Sequence, residues 1–386
     1  MRSTQQVKTM LSKTLAAIVL FSTVTPTHAD AALESFLEQT LATARDEHHL
    51  PAVASLIQID GKLTAEAAVG VRAQGHPELV TTGDRWEIAS DTKAFTSTMI
   101  ARLVEQRVMS FDDTLAHSFP AFAKTMNPAY RNITVVQLLS HTAGLPALTD
   151  DNEFPAFLAV VKTANGVVAQ RSAVARKYLS MPPTSKAGEF KYSNLGYVIA
   201  GAIAEARTGK AWEILIREQI FAPLGIKNAG FGVPGNSGKF DQPCGHEATA
   251  GQLTAIDPGE ASSDIPAVLG PAATINIALG DWVLFAQDQL DGTHGHGKLL
   301  KTATYRRLHT PVSEIYALGW GAKLEPDGVP WILTHTGSNG HWVADIRIMP
   351  KHDMIVLVAT NAGNEAAKKA VDEIDDLVGD RLKPFE

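Results

Sequence analysis

The chain of 386 residues has a single cysteine, Cys244, only 19% charged residues and no long basic run. One cysteine allows no intramolecular disulfide, so the fold must rest on its hydrophobic core. The sparse charge, formally -7, gives neither nucleic acid nor an anionic membrane surface an electrostatic footprint. The longest apolar stretch near the N-terminus, Leu15 to Val24, falls short of the roughly 20 residues a spanning helix needs, so stable membrane insertion is not expected. There is no Gly-x-Ser-x-Gly elbow of an α/β-hydrolase and no His-Glu-x-x-His zinc helix. Cys244, between Pro243 and Gly245, has no helix start or base motif beside it and is not read as a nucleophile. His294 and His296 alternate with glycines and lack a carboxylate or cysteine cluster, which reads as a solvated loop. No metal and no cofactor are expected.

What is present is an ordinary globular composition, 45% hydrophobic, in a chain long enough for a substantial core. Arg2, Lys8 and Lys13, then Leu15 to Val24, then Pro26-Thr27-His28-Ala29 follow the order of an export signal, which predicts a signal peptide over residues 1–29 and a secreted, periplasmic protein. Ala31 to His48 carries Leu33, Phe36, Leu37 and Leu41 at helical spacing. Ala52 to Asp60 and Leu63 to Val71 form a hairpin about Gly61-Lys62. Strand-like runs return at Trp331–Thr334, Trp342–Met349 and Met354–Ala359, and Glu365 to Val378 is helical again. Between them, Thr92 to Leu224 is mostly helical and Gly230 to Gly270 irregular. The expected fold class is therefore α/β (α+β): an antiparallel sheet flanked by helices, built from both ends of the chain, about residues 30–90 and 271–386, with a mostly helical second lobe over about 91–270. The cleft between the two is the natural site.

Three short motifs carry chemistry. In Ser90-Asp91-Thr92-Lys93, Ser90 can cap the helix that continues through Phe95, Met99 and Leu103. Lys93 lies on the same face, and its amine can take the Ser90 proton if burial lowers the lysine pKa. In Lys191-Tyr192-Ser193-Asn194, before the helical run Leu195–Arg207, Tyr192 can share a proton relay with Lys93, whose ammonium would lower the phenol pKa. Asn194 can hydrogen-bond both Lys93 and a substrate carbonyl. In His335-Thr336-Gly337-Ser338, Gly337 lets a substrate backbone approach a strand edge, the Ser338 N–H joins that of Ser90 in an oxyanion hole, and His335 and Thr336 meet a substrate anion or hydroxyl. Each motif alone also reads as a capped helix start, a half-buried tyrosine or a turn with a surface histidine.

Their order along the chain, at roughly 100 and 140 residue intervals, changes this reading. The set resembles the serine β-lactamase and penicillin-recognising superfamily, in its class C β-lactamase, D-alanyl-D-alanine peptidase and esterase branch. Gln137 to Pro146, Phe221 to Ile226 and Tyr316 to Gly321 look like further segments of that family. The resemblance implies a β-lactamase/transpeptidase-like fold and an acyl-enzyme on Ser90, with Lys93 and Tyr192 moving its proton and Asn194, His335, Thr336, Gly337 and Ser338 holding a small ester, peptide or β-lactam substrate. His335 stands where many lactamases and peptidases of the superfamily have lysine. An exposed-type imidazole, with pKa near 6.5, would attract a carboxylate less, and Michaelis constants for such substrates would rise between roughly pH 6 and 8. The expectation is an esterase or D-amino-acid peptidase-like hydrolase with at most weak β-lactamase action. The alternatives are a true class C-like β-lactamase and a catalytically silent peptidoglycan- or peptide-binding protein.

Overall fold

The computed structural model describes residues 31–249 and 251–382; the expected export signal lies outside them. A six-stranded sheet takes strands from both ends of the chain. From the N-terminal end come β1 (Ala52–Ile59) and β2 (Lys62–Gly70), and from the C-terminal end β3 (Gly321–Leu324), β4 (Pro330–Ser338), β5 (Val343–Met349) and β6 (Met354–Thr360). The order is β2-β1-β6-β5-β4-β3, antiparallel throughout, with Val53 opposite Thr360 where the two ends meet.

Strand periodicity explains why the central strands β1 and β6 carry hydrophobic residues on both faces. Ala52, Ala54 and Leu56 of β1, with Ile355, Leu357 and Ala359 of β6, enter one core, while Val53 and Ile57, with Val356 and Val358, enter the other. Each face is covered by helices. On one side lie α1 (Ala31–Glu47), through Leu33, Leu37, Leu41 and Ala44, and the C-terminal helix α5 (Glu365–Leu382), through Ala367, Ala370, Val371, Ile374 and Val378. On the other lie α2 (Thr92–Glu105) and α4 (Leu279–Thr293), joined by the Phe95 and Phe285 rings, whose centroids are 3.7 Å apart. The helix α3 (Asn194–Thr208) packs in the same core through Tyr197, Ile199, Ala200 and Ile203. The stretch expected to be irregular also contains short strands, Ala229–Phe231 and the hairpin His246–Thr249 with Gln252–Ala255. Among the described residues no helix is long and apolar enough to cross a membrane.

Candidate active site

The site forms where the N-terminal end of α2 meets the outer part of β4. Ser90 lies in the 3-10 turn Ala89–Asp91, with α2 starting only at Thr92. The turn is entered through Ala89 at φ 42°, a left-handed backbone that an alanine adopts at a cost of order 1 kcal/mol. Ser90 was expected to cap the helix, but its side chain makes no cap bond. Its hydroxyl is instead engaged by Lys93 Nζ at 2.9 Å and Tyr192 Oη at 2.9 Å.

Lys93 is fully buried, and its Nζ also reaches Asn194 Oδ1 at 2.8 Å and the Ala272 carbonyl at 3.0 Å. Both of these can only accept, because Asn194 Nδ2 donates to the Leu148 carbonyl at 2.9 Å and so fixes the amide's orientation. They occupy two N–H bonds of the amine, and its third tetrahedral position faces Ser90. Burial lowers the Lys93 pKa to about 7, against the opposing pull of Asp91. At neutral pH a large fraction is therefore the free amine, whose lone pair can accept the Ser90 proton.

Tyr192 behaves the opposite way from the sequence expectation. Burial raises its pKa, and this outweighs the hydrogen bond to Ser90, so the phenol stays protonated and donates to Ser90 Oγ. Asn194 is the first residue of α3, capped by Ser193, whose Oγ accepts from the Gly196 N–H and donates to the Pro146 carbonyl. With Oδ1 and one N–H committed, Asn194 keeps one N–H for another acceptor.

The residues of β4 divide between two faces. His335 is buried, its Nδ1 donates to the Thr336 carbonyl at 3.1 Å, and its Nε2 consequently accepts from Tyr316 Oη at 3.0 Å. Burial, and secondarily the Lys93 charge, push its pKa down to about 3. It therefore does not titrate between pH 6 and 8, which removes the basis for the pH-dependent carboxylate affinity expected from sequence. Thr336 alternates to the opposite face, where its hydroxyl donates to Asp345, rather than standing beside His335. Gly337 makes a different close approach from the one expected: a Cβ there would lie 2.1 Å from the Ile88 carbonyl and 2.8 Å from Ser90 N, so its bareness lets β4 close on the serine turn. Ser338 ends the strand, and Asn339 beyond it donates to Glu87 Oε1 at 2.9 Å, tying the strand end to the segment before Ser90. Pairing with β3 stops at Thr334, so His335 to Ser338 have no strand partner on that edge.

Tyr316, which sequence reasoning passed over, and His141, which it read as structural, also pack here. Tyr316 fixes the His335 tautomer. His141, at φ 59°, brackets Tyr192: its carbonyl accepts from Lys191 N at 2.8 Å, its Nδ1 from Ser193 N at 3.1 Å, and its ring centroid lies 4.3 Å from that of Tyr192. Both lie in segments whose likeness to the family was the only available signal. The two loop histidines face carboxylates instead, His294 at 3.4 Å from Asp353 and His296 at 3.6 Å from Asp291. Burial pushes the Cys244 thiol up to about 11, away from thiolate chemistry.

Comparison with known proteins identifies the fold and the family. Penicillin-binding protein 4 of Amycolatopsis lactamdurans is 29% identical over 332 residues, covering 83% of each chain. Among solved structures, SurE superposes with a TM-score of 0.72 at 24% identity, over 92% of this chain and 77% of that one. EstCE1, described as a hydrolase with promiscuous acyltransferase activity, gives 0.73 at 20% identity, over 90% and 98%. The beta-lactamase family model matches residues 37–379, nearly the whole described chain, and the protein belongs to that family of hydrolases.

Proposed function

We propose that the protein is an exported serine hydrolase that cleaves ester or amide bonds through an acyl-enzyme on Ser90. The observation that carries this reading is the pair of 2.9 Å contacts from Ser90 Oγ, to a lysine amine depressed to about 7 and to a phenol raised above its ordinary value. Environments that drive two groups apart in this way separate base from acid. Lys93 takes the hydroxyl proton as Ser90 Oγ attacks the acyl carbonyl. Tyr192 donates its proton to the departing oxygen or nitrogen and is restored from Lys93. A water then repeats the sequence on the acyl-enzyme and releases the acid. The amides of Ser90 and Ser338 are the proposed oxyanion donors, each such donor being worth about 100- to 1000-fold in rate. Export rests on the sequence pattern of residues 1–29.

The test is covalent. A fluorophosphonate should add once, at Ser90, as located by mass spectrometry of the digested protein, and Ser90→Ala should take no label and lose ester turnover. A wild-type protein that stays unlabelled would point to the silent binding protein instead.

A further inference from the structure

Glu87 ends the short strand Arg85–Glu87, just before the Ser90 turn, and its carboxyl is fully buried. Oε1 accepts from Asn339 Nδ2 at 2.9 Å, while Oε2 has no N–H or O–H donor among the described residues. Its remaining neighbour is a second carboxyl, that of Asp264, to which it is hydrogen-bonded and whose Oδ1 also lacks a donor. Two carboxyl groups can be joined in this way only through a proton that one of them holds. Burial, and then the Asp264 charge, push Glu87 well above the ordinary carboxyl range, whereas Asp264 rises only to about 6. The proton therefore belongs to Glu87, and Asp264, which also accepts from the backbone of Val233 and Ile265, receives it. Gly232, at φ 78°, makes room for the pair, since a Cβ there would lie 2.7 Å from Asp264 Oδ2.

We propose that Glu87 is a positioning residue for the oxyanion donors: the proton it shares with Asp264 keeps its buried carboxyl neutral, so that it can clamp Asn339 to the serine segment. This rests on the acyl-enzyme reading above, with the amides of Ser90 and Ser338 as the donors. Asn339 follows Ser338 directly. Its Oδ1 accepts from His341 N and Trp342 N, each at 3.1 Å, which leaves Nδ2 to donate to Glu87. One side chain thus joins the chain entering Ser90 to the chain leaving Ser338. No cation offsets the carboxyl pair. Arg85, on the same face of its strand as Glu87, turns toward Gly230, where a Cβ would meet its Nη1 at 3.0 Å. Asn276, opposite Glu87, is neutral and donates to the Gly232 carbonyl at 2.6 Å. His341 is pushed down by burial, and the charge acting on it is that of Glu247. Without the shared proton, two carboxylates would face each other here, and Glu87 would draw Asn339 away from its place.

The experiment follows hydrolysis of 4-nitrophenyl butyrate and inhibition by butylboronic acid, whose adduct on serine mimics the tetrahedral intermediate. In Glu87→Ala and in Asn339→Ala, kcat and kcat/KM should fall together by about 10- to 100-fold, less than the full loss of a donor, and the boronate should weaken by a similar factor. Glu87→Gln can donate to Asp264 and accept from Asn339 as the protonated acid does, and should recover most of that loss. The shared proton has its own readout. A carboxyl held protonated in the folded chain makes wild-type stability fall as the pH rises above the ordinary 4.5 of the unfolded one, so the melting temperature of Glu87→Gln should gain steadily on that of wild type from there upward. Glu87→Gln as impaired as Glu87→Ala, full activity in Asn339→Ala, or a melting difference that is constant with pH would overturn the inference while Ser90 still acylates. If Glu87→Ala does not fold, Asn339→Ala and the comparison of Glu87→Gln with wild type decide. Turnover that survives in Ser90→Ala would instead fail the acyl-enzyme reading, and the positioning role with it.

Discussion

Replacing Lys93 with methionine should abolish ester turnover and yet stabilise the folded protein, by an amount that depends on pH. The unfolded chain holds its lysine proton up to an ordinary 10.5, whereas the folded protein releases it near 7. Because the folded pKa lies below the unfolded one, the cost to folding is complete below pH 7 and fades as the pH climbs towards 10.5. At about 1.4 kcal/mol per pH unit it amounts to about 5 kcal/mol at pH 6.5 and about 3 kcal/mol at pH 8.5. Methionine escapes this cost but forgoes the hydrogen bonds to Ser90, Asn194 and Ala272, about 1 kcal/mol each. Lys93→Met should therefore be more stable than wild type by about 2 kcal/mol at pH 6.5 and about equal to it at pH 8.5. Urea unfolding followed by the fluorescence of the six tryptophans measures both proteins, and titrations common to the two cancel in the difference. A stability difference that stays constant over this range, or grows with pH, would refute the assignment of Lys93 as a buried, largely neutral base.

Two further outcomes follow from the same geometry. For a neutral ester, kcat/KM should rise with pH through an inflection near 7 as Lys93 deprotonates, with no second inflection from His335 between pH 5 and 9; one that disappears in His335→Gln would contradict the neutral ring. His141→Ala, which removes the Nδ1 acceptor and the ring against Tyr192, should lower kcat about 10- to 100-fold with KM nearly unchanged. His141→Asn, which keeps an acceptor and tolerates the left-handed backbone, should recover part of that loss; equal losses in both variants, tracking their melting temperatures, would mark His141 as merely structural.

The sheet was legible because its strands announce themselves locally. A mostly apolar run such as Ala52 to Ile59, turned by Asp60-Gly61, needs no tertiary information to be read as a strand of a hairpin. The Ser90 and Lys93 pairing was legible for the same reason, since three residues of near-helical chain bring them together. What escaped the sequence depends on partners far along the chain. A capping serine and one engaged by Lys93 and Tyr192 look alike until Tyr192 arrives from 102 residues away. Thr336 was placed beside His335 because the parity of a strand is visible in sequence, but the face that meets the site is not. The protonation of His335 is set by Tyr316 and by burial, and that of Tyr192 by burial outweighing its hydrogen bond, neither of which an isolated motif contains.

The bare Cα of Gly337 has a mechanical consequence. With no room for even a methyl group between β4 and the Ile88–Ser90 backbone, strand and serine turn are seated on one another and must travel as one rigid jaw. Opening for substrate or product cannot come from parting them. The opposite jaw is the Tyr192 loop, fastened along its length by hydrogen bonds from Thr184, Gly188, Lys191 and Ser193 to the 141–146 segment. Such bonds can be exchanged for water one at a time, so the Tyr192 side of the cleft is seated by replaceable polar contacts where the serine side is seated by backbone packing.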